Sequence, residues 1–311
     1  MLHPTPTALT THLDPFRSPV VRDLVWAILS PTLIVTPDAS HYCSPKWFEL
    51  AFESIALHLQ QLEQDDAPLR QHLNTPPTHR LGIRFERLWS YWLQHNGRYE
   101  LLAANVQVPH NGNTLGEFDF IVHDNHANEI EHWELALKFY LGIPPLTSAQ
   151  HWFGPNLKDR LDLKQRHLAE KQLPLSQTHA GQTICQQNGW NISRRRLICK
   201  GRLYYPEDNS RLFPRCIDPA HQTGRWLTHT QLRTQLQHAN ATIRLLEKDE
   251  WMVSHFRQTS LVADTPPDLQ PMPTHPIQVE LTAPHQTPQR IFVVPDDWQQ
   301  QAASSLAANP S

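Results

Sequence analysis

Between residues 81 and 141 the spacing of apolar side chains changes once, and that change limits the folds open to the chain. The segment RLGIRFERLWSYWLQHNG (80–97) sets Leu81, Phe85, Leu88 and Trp92 on one stripe at helical spacing, with Gly97 as a natural stop. From Tyr99 the period becomes two. LLAANVQVP, GEFDFIVHD and EIEHWELALKFYL read as three strands joined by turns rich in Asn, Gly and His. A helix running into a meander predicts an α/β fold with a mixed, mainly antiparallel central sheet flanked by helices.

The rest of the chain decorates that core. Residues 20–29 (VVRDLVWAIL) and 47–62 (WFELAFESIALHLQQL) carry helical spacing, and a polar, proline-interrupted loop is expected over 65–78. After Pro144 and Pro145, GPNLKDRLDLKQRHLAEKQL (154–173) reads as a helix with Pro155 near its start. A long loop then leads to the strand RRLICKGRLYYP (195–206), for which a solvated edge strand is the alternative to a binding face. Residues 226–256 read as helical at both ends, RIFVVPDDW as a late strand, and QQAASSLAANPS as a disordered tail. Many of the 27 prolines fall in connections, notably over 265–288. These shifts divide the chain into an N-terminal helical layer (1–78), a core (79–225), a helical extension (226–264), a proline-rich connection (265–289), and a late strand with its tail (290–311).

Composition narrows the function classes. A net charge of −3 and a pI near 6.7 give no global attraction to a polyanion, so nucleic-acid contact would need local basic patches. Cys43, Cys185, Cys199 and Cys216 form no CxxC pair, which argues against structural zinc and a disulfide framework. No secretory leader pattern or long apolar run occurs, so a cytoplasmic protein without a membrane span is expected. The twenty histidines are scattered and read as surface and loop residues. GxxxxGK[ST], GxGxxG and GxSxG are absent, which removes nucleotide-driven, dinucleotide and nucleophile-elbow chemistry. Trp89, Trp92 and Trp133 fall on apolar faces and read as core.

Chemistry concentrates on the two later strands. Alternation puts Glu134, Ala136 and Lys138 on one face, and Glu117 and Asp119 on one face of the preceding strand, opposite Phe118 and Phe120. If Asp124 pairs with Glu129, then Asp119 stands opposite Glu134 and Glu117 opposite Ala136. Opposed carboxylates repel, so the hairpin makes sense when a divalent cation lies between them. Glu86, beside the apolar stripe of its helix, also wants a partner.

An inward Glu on a helix, then G-E-F-D-F-I on one strand and an acid with a lysine on the next, resembles the PD-(D/E)xK nuclease superfamily over about residues 80–170. The motifs GIRFERLW, GEFDFIV, ELALKFYLG, GPNLKDRLDLK and RIFVVPDDW are similar to the bacterial domain of unknown function 1853 family, a member of that superfamily by fold assignment. The resemblance implies Mg2+- or Mn2+-dependent hydrolysis of phosphodiester bonds in DNA or RNA, DNA being the favoured substrate. Asp119 and Glu134 would hold the metal, Glu86 would bind it or its water, and Lys138 would orient or deprotonate the attacking water. The alternative is a catalytically inactive module binding nucleic acid or a protein partner.

One position departs from the motif. The acid two residues before the lysine is Ala136 here, and Glu134 lies about 13 Å along the strand from Lys138, at roughly 3.3 Å per residue. Glu117 from the neighbouring strand is the candidate replacement. For the substrate, Arg194, Arg195, Arg196, Lys200 and Arg202, followed by Tyr204 and Tyr205, mix positive charge with aromatics as a nucleic-acid face does. Lys158 and Arg160 could extend that face.

Overall fold

A computed structural model describes residues 6–35, 38–206, 212–239, 241–253, 274–283 and 288–308. Six helices come first: α1 (Pro6–Leu13), α2 (Pro19–Leu29), α3 (Pro45–Glu53), α4 (Ala56–Gln64), α5 (Ala67–Asn74) and α6 (Leu81–His95). Strands β1 (Tyr99–His110), β2 (Asn113–Asp124) and β3 (Glu129–Gly142) follow, then the short β4 (Trp152–Phe153). Helices α7 (Leu161–His167) and α8 (His179–Gln187) precede β5 (Ile192–Tyr205) and β6 (Gln222–Thr228). The chain closes with α9 (His229–Ala239), β7 (Thr242–Leu245), β8 (Ile277–Thr282), β9 (Gln289–Val294) and α10 (Trp298–Ala308).

The chain divides into two compact units. The first is Met1–Leu137, Gln165–Lys200 and Asp218–Ala220; the second is Lys138–Lys164, Gly201–Ile217 and His221–Ser311. In the first, β1, β2, β3 and β5 are neighbours in that order. The β1–β2 and β2–β3 pairs are antiparallel. Asp124 pairs with Glu129 as expected, but the β2–β3 ladder ends at Phe120 opposite Trp133, short of the expected Asp119–Glu134 and Glu117–Ala136 pairs. Asp124 fixes the turn: it accepts the backbone N–H groups of His126 and Ala127 and binds Arg98.

The core of the first unit is aromatic. Trp89, Trp92 and Trp133 are each at most 1% exposed, as expected of core residues, and pack with Trp47 and Tyr99 at ring-centroid distances of 5.3–6.3 Å. Helix α6 is the centrepiece. Its Arg84 bonds the fully buried Asp23 of α2 at 2.6 Å, which ties two amphipathic helices by charge as well as by packing.

In the second unit β5, β6, β9, β8 and β7 are neighbours in that order, and β4 pairs with the end of β3. The β5–β6 and β6–β9 pairs are parallel; β8–β9 and β7–β8 are antiparallel. Leu227, Val279, Ile291 and Val293 are fully buried there against Leu232 of α9. The chain is therefore mixed α/β, with a large, mostly antiparallel sheet flanked by helices.

Several expected elements differ. Residues 47–62 are two helices, broken at Ser54 and Ile55, and the expected loop over 65–78 contains α5, which buries Leu69 and Leu73. Residues 154–160 are not helical, because Leu157 takes a left-handed φ of 60°; helix begins at Leu161. Helix α8 fills part of the expected long loop, and the stretch from 226 holds β6, α9 and β7 rather than helix at each end. The late strand is β9, but the expected disordered tail contains α10, anchored by the buried Trp298. The connection 265–289 contains strand β8; Pro266, Pro267, Pro271, Pro273 and Pro284 lie outside the described residues.

Candidate metal and nucleic-acid site

Alternation on β2 works as the sequence implies. Phe118 and Phe120 are buried, while Glu117 and Asp119 are half-buried on the other face. Asp119 Oδ2 accepts the backbone N–H of Leu135 at 2.8 Å, one step beyond the last paired residues of the ladder. The side chain thus continues the sheet's hydrogen bonding where the two strands stop pairing.

Glu86 has a strongly raised proton affinity. Burial, then the charges of Asp119 and Glu117, push its pKa up to about 7, with Arg87 opposing. No hydrogen-bond donor contacts it among the described residues. The structure therefore brings Glu86, Glu117 and Asp119 within mutual electrostatic range, and at neutral pH a proton on Glu86 relieves their repulsion about half the time.

Glu134 is placed differently. It is fully buried, with Oε1 2.7 Å from His132 Nε2 and Oε2 accepting from Gln172 Nε2 at 2.6 Å. Burial pushes the His132 pKa down to about 4, against the charge of Asp119 and with that of Arg195. The ring is therefore neutral at pH 7, and its Nε2–H donates to Glu134 as a neutral group, despite the ion-pair spacing. Both oxygens of Glu134 are turned to protein donors. His132, fully buried, also departs from the expectation of surface histidines.

Lys138, in the second unit, ends 2.6 Å from Asp159 Oδ2. The sequence offered no signal for that pair, because the acid arrives from a loop.

The ion expected for this chemistry, Mg2+ or Mn2+, takes hard oxygen donors. Glu86, Glu117 and Asp119 carry donors of that type, whereas both oxygens of Glu134 are engaged by His132 and Gln172. Among the described residues no three His, Cys, Asp or Glu side chains are grouped so that they could hold a metal ion.

The basic run needs correction as a nucleic-acid face. Strand β5 is buried along 196–205 and has strand neighbours on both sides, so it is a central strand, neither a solvated edge nor an open binding face. Arg196 donates to the buried Glu131 through Nε and Nη2, Nη2 at 2.8 Å from Oε1. Burial alone would lower its pKa, but Glu131 raises it, so this guanidinium is held charged. Lys200, 0% exposed, donates to the carbonyls of Ile28 and Ser30 at the end of α2 and sits 3.4 Å from the centre of the Phe48 ring. Burial pushes its pKa down to about 7. Arg202 bonds Tyr204 Oη and Gln222, and Arg160 is paired with Asp162 at 2.6 Å. Such cations cannot reach a phosphate. Arg194, half exposed, Arg195, which donates to His41, and the exposed Lys158 are the basic candidates left near the surface.

Among the described residues no helix is long and apolar enough to cross a membrane. No curated protein and no solved structure matches the chain. Residues 22–294 match the family described as Domain of unknown function (DUF1853), which covers most of the chain and both candidate strands. The chain belongs to the DUF1853 family.

Proposed function

We propose that this protein is a PD-(D/E)xK-type nuclease that hydrolyses phosphodiester bonds in DNA or RNA with a divalent cation, and that Glu86, Glu117 and Asp119 hold the cation. The observation that carries the reading is the raised proton affinity of Glu86 beside two other carboxylates. Burial and then the charges of Asp119 and Glu117 raise the proton affinity of Glu86, and a divalent cation among the three carboxylates would offset that repulsion. When bound, Mg2+ or Mn2+ would stabilise negative charge on the phosphate and acidify a water. Glu117 replaces the acid absent at Ala136, and Lys138 remains the lysine of the motif.

The test is a cleavage panel of single-stranded, duplex and branched substrates at millimolar Mg2+ or Mn2+, with Lys138→Ala as control. Wild type is expected to cleave at least one class. Asp119→Asn and Glu117→Gln are each expected to cut the rate on the order of tenfold or more, because each removes a cation ligand without changing shape. Wild-type cleavage by Glu117→Gln would reject its place in the set, and an Ala136→Glu, Glu117→Gln double variant is expected to recover part of the loss. A second reading, a binding module that no longer cuts, is favoured by the closed hydrogen bonding of Glu134 and by Ala136. Cation binding without cleavage of any substrate would select it.

A further inference from the structure

We infer that Asp159 is the acid that positions the Lys138 ammonium. The inference rests on the nuclease reading for its catalytic consequence, but the pairing itself stands on geometry. Asp159 Oδ2 lies 2.6 Å from Lys138 Nζ, and Tyr140 Oη donates to Oδ1 at 3.4 Å. Along one strand Ala136, Lys138 and Tyr140 point to the same side. Asp159 therefore places its carboxylate on the side of the strand that carries Lys138 and Tyr140.

The segment that delivers Asp159 is constructed. Gly154 N–H donates to Asp159 O and Leu157 N–H to Gly154 O, both at 2.8 Å, with Leu157 in the left-handed region at φ 60°. Phe153 pairs with Arg160 across the base of the loop. A Cβ at position 154 would stand 3.1 Å from the Asp159 Cβ, so glycine allows the close approach. Trp298 Nε1 donates to Pro155 O at 2.8 Å, and Asp162 clamps the neighbouring Arg160. An ordinary surface ion pair joins two long, loose side chains and is worth little. Here the acid is short and its backbone is tied at several points. The two side chains are 29% and 34% exposed, so the pair remains reachable by a ligand.

A lysine that must present its ammonium to a phosphate or a water gains from a partner that fixes its direction, since small misplacement of a catalytic group costs rate steeply. Asp159 supplies that direction, which makes it a positioning residue. The test compares wild type, Asp159→Asn and Asp159→Glu by acylation of Lys138 at pH 8, read by peptide mass spectrometry relative to the exposed Lys46. Releasing the ammonium in Asp159→Asn is expected to raise Lys138 acylation roughly two- to fivefold, with Asp159→Glu returning toward wild type. Cleavage is expected to fall on the order of tenfold or more in Asp159→Asn, with no further loss when Lys138→Ala is added. An Asp159→Asn chain that is folded by circular dichroism and shows unchanged acylation or wild-type cleavage would overturn the inference. A wild-type chain that cleaves nothing would instead overturn the nuclease reading, and the acylation ratio alone then decides whether Asp159 holds Lys138.

Discussion

Replacing Glu131 by alanine is expected to destabilise the protein by about 3–5 kcal/mol, the range for removing one partner of a buried ion pair. Glu131 is 1% exposed and accepts from Nε and Nη2 of Arg196 as well as from the indole N–H of Trp133 at 2.7 Å. Without it Arg196 remains as a buried charge with no counter-charge, and the indole loses its acceptor. In a chain of this size the loss corresponds to a fall in Tm on the order of 10 °C, which differential scanning calorimetry or urea unfolding would read. Glu131→Gln keeps the acceptor and is expected to fall between. A loss below about 1 kcal/mol for Glu131→Ala would show that the pair contributes nothing to the core.

Trp133→Ala is expected to cost a similar amount, about 3–5 kcal/mol, through the cavity it leaves. The ring is fully buried, lies 5.3–6.3 Å from the ring centres of Trp47, Trp89, Trp92 and Tyr99, and has the Arg196 guanidinium 5.9 Å from its centroid. Because Trp133 also donates to Glu131, the two losses share one network. The Glu131→Ala, Trp133→Ala double variant is expected to lose less than the sum of the single changes, and strict additivity in a denaturation cycle would contradict a shared network.

Those two residues also show what the sequence could and could not reveal. Trp133 is legible as core because it alternates with charged neighbours on a strand of period two, and the β2–β3 register follows from the short Asn- and His-containing turn. Helix α6 is legible because its apolar stripe runs over four turns. Helices α5 and α8 each bury only two residues, so no periodicity rises above their polar composition. The break between α3 and α4 falls at Ser54 and Ile55, where neither Pro nor Gly marks it.

The site divides along the same line. Glu86, Glu117 and Asp119 share a neighbourhood because helix and strand periodicities alone orient them. Arg196, Lys200 and Arg202 looked like a phosphate-binding face, yet the apolar run Leu197, Ile198 and Cys199 between them was the mark of a strand buried on both faces. Glu134 closes on Gln172, thirty-eight residues away, and Lys138 on Asp159, twenty-one residues away. No local pattern encodes such pairs, since they exist only once the tertiary structure has formed.

The claim that Glu86, Glu117 and Asp119 form a cation site is tested most directly by the proton that Glu86 must give up. Its folded pKa of about 7 lies above the ordinary carboxyl value of 4.5. The metal-free chain therefore gains stability from this proton below about pH 4.5 and loses that contribution as pH rises through about 7. A cation favours the ionised form and displaces the proton. Titrating Mg2+ or Mn2+ into the protein at pH 7 by isothermal calorimetry, in two buffers of different ionisation enthalpy, gives the number of protons released per cation bound. Saturable binding with release of about half a proton is expected, with the release abolished in Glu86→Gln and the binding weakened in Asp119→Asn. No saturable binding at millimolar cation, or binding whose proton release is the same in Glu86→Gln as in wild type, would contradict the claim.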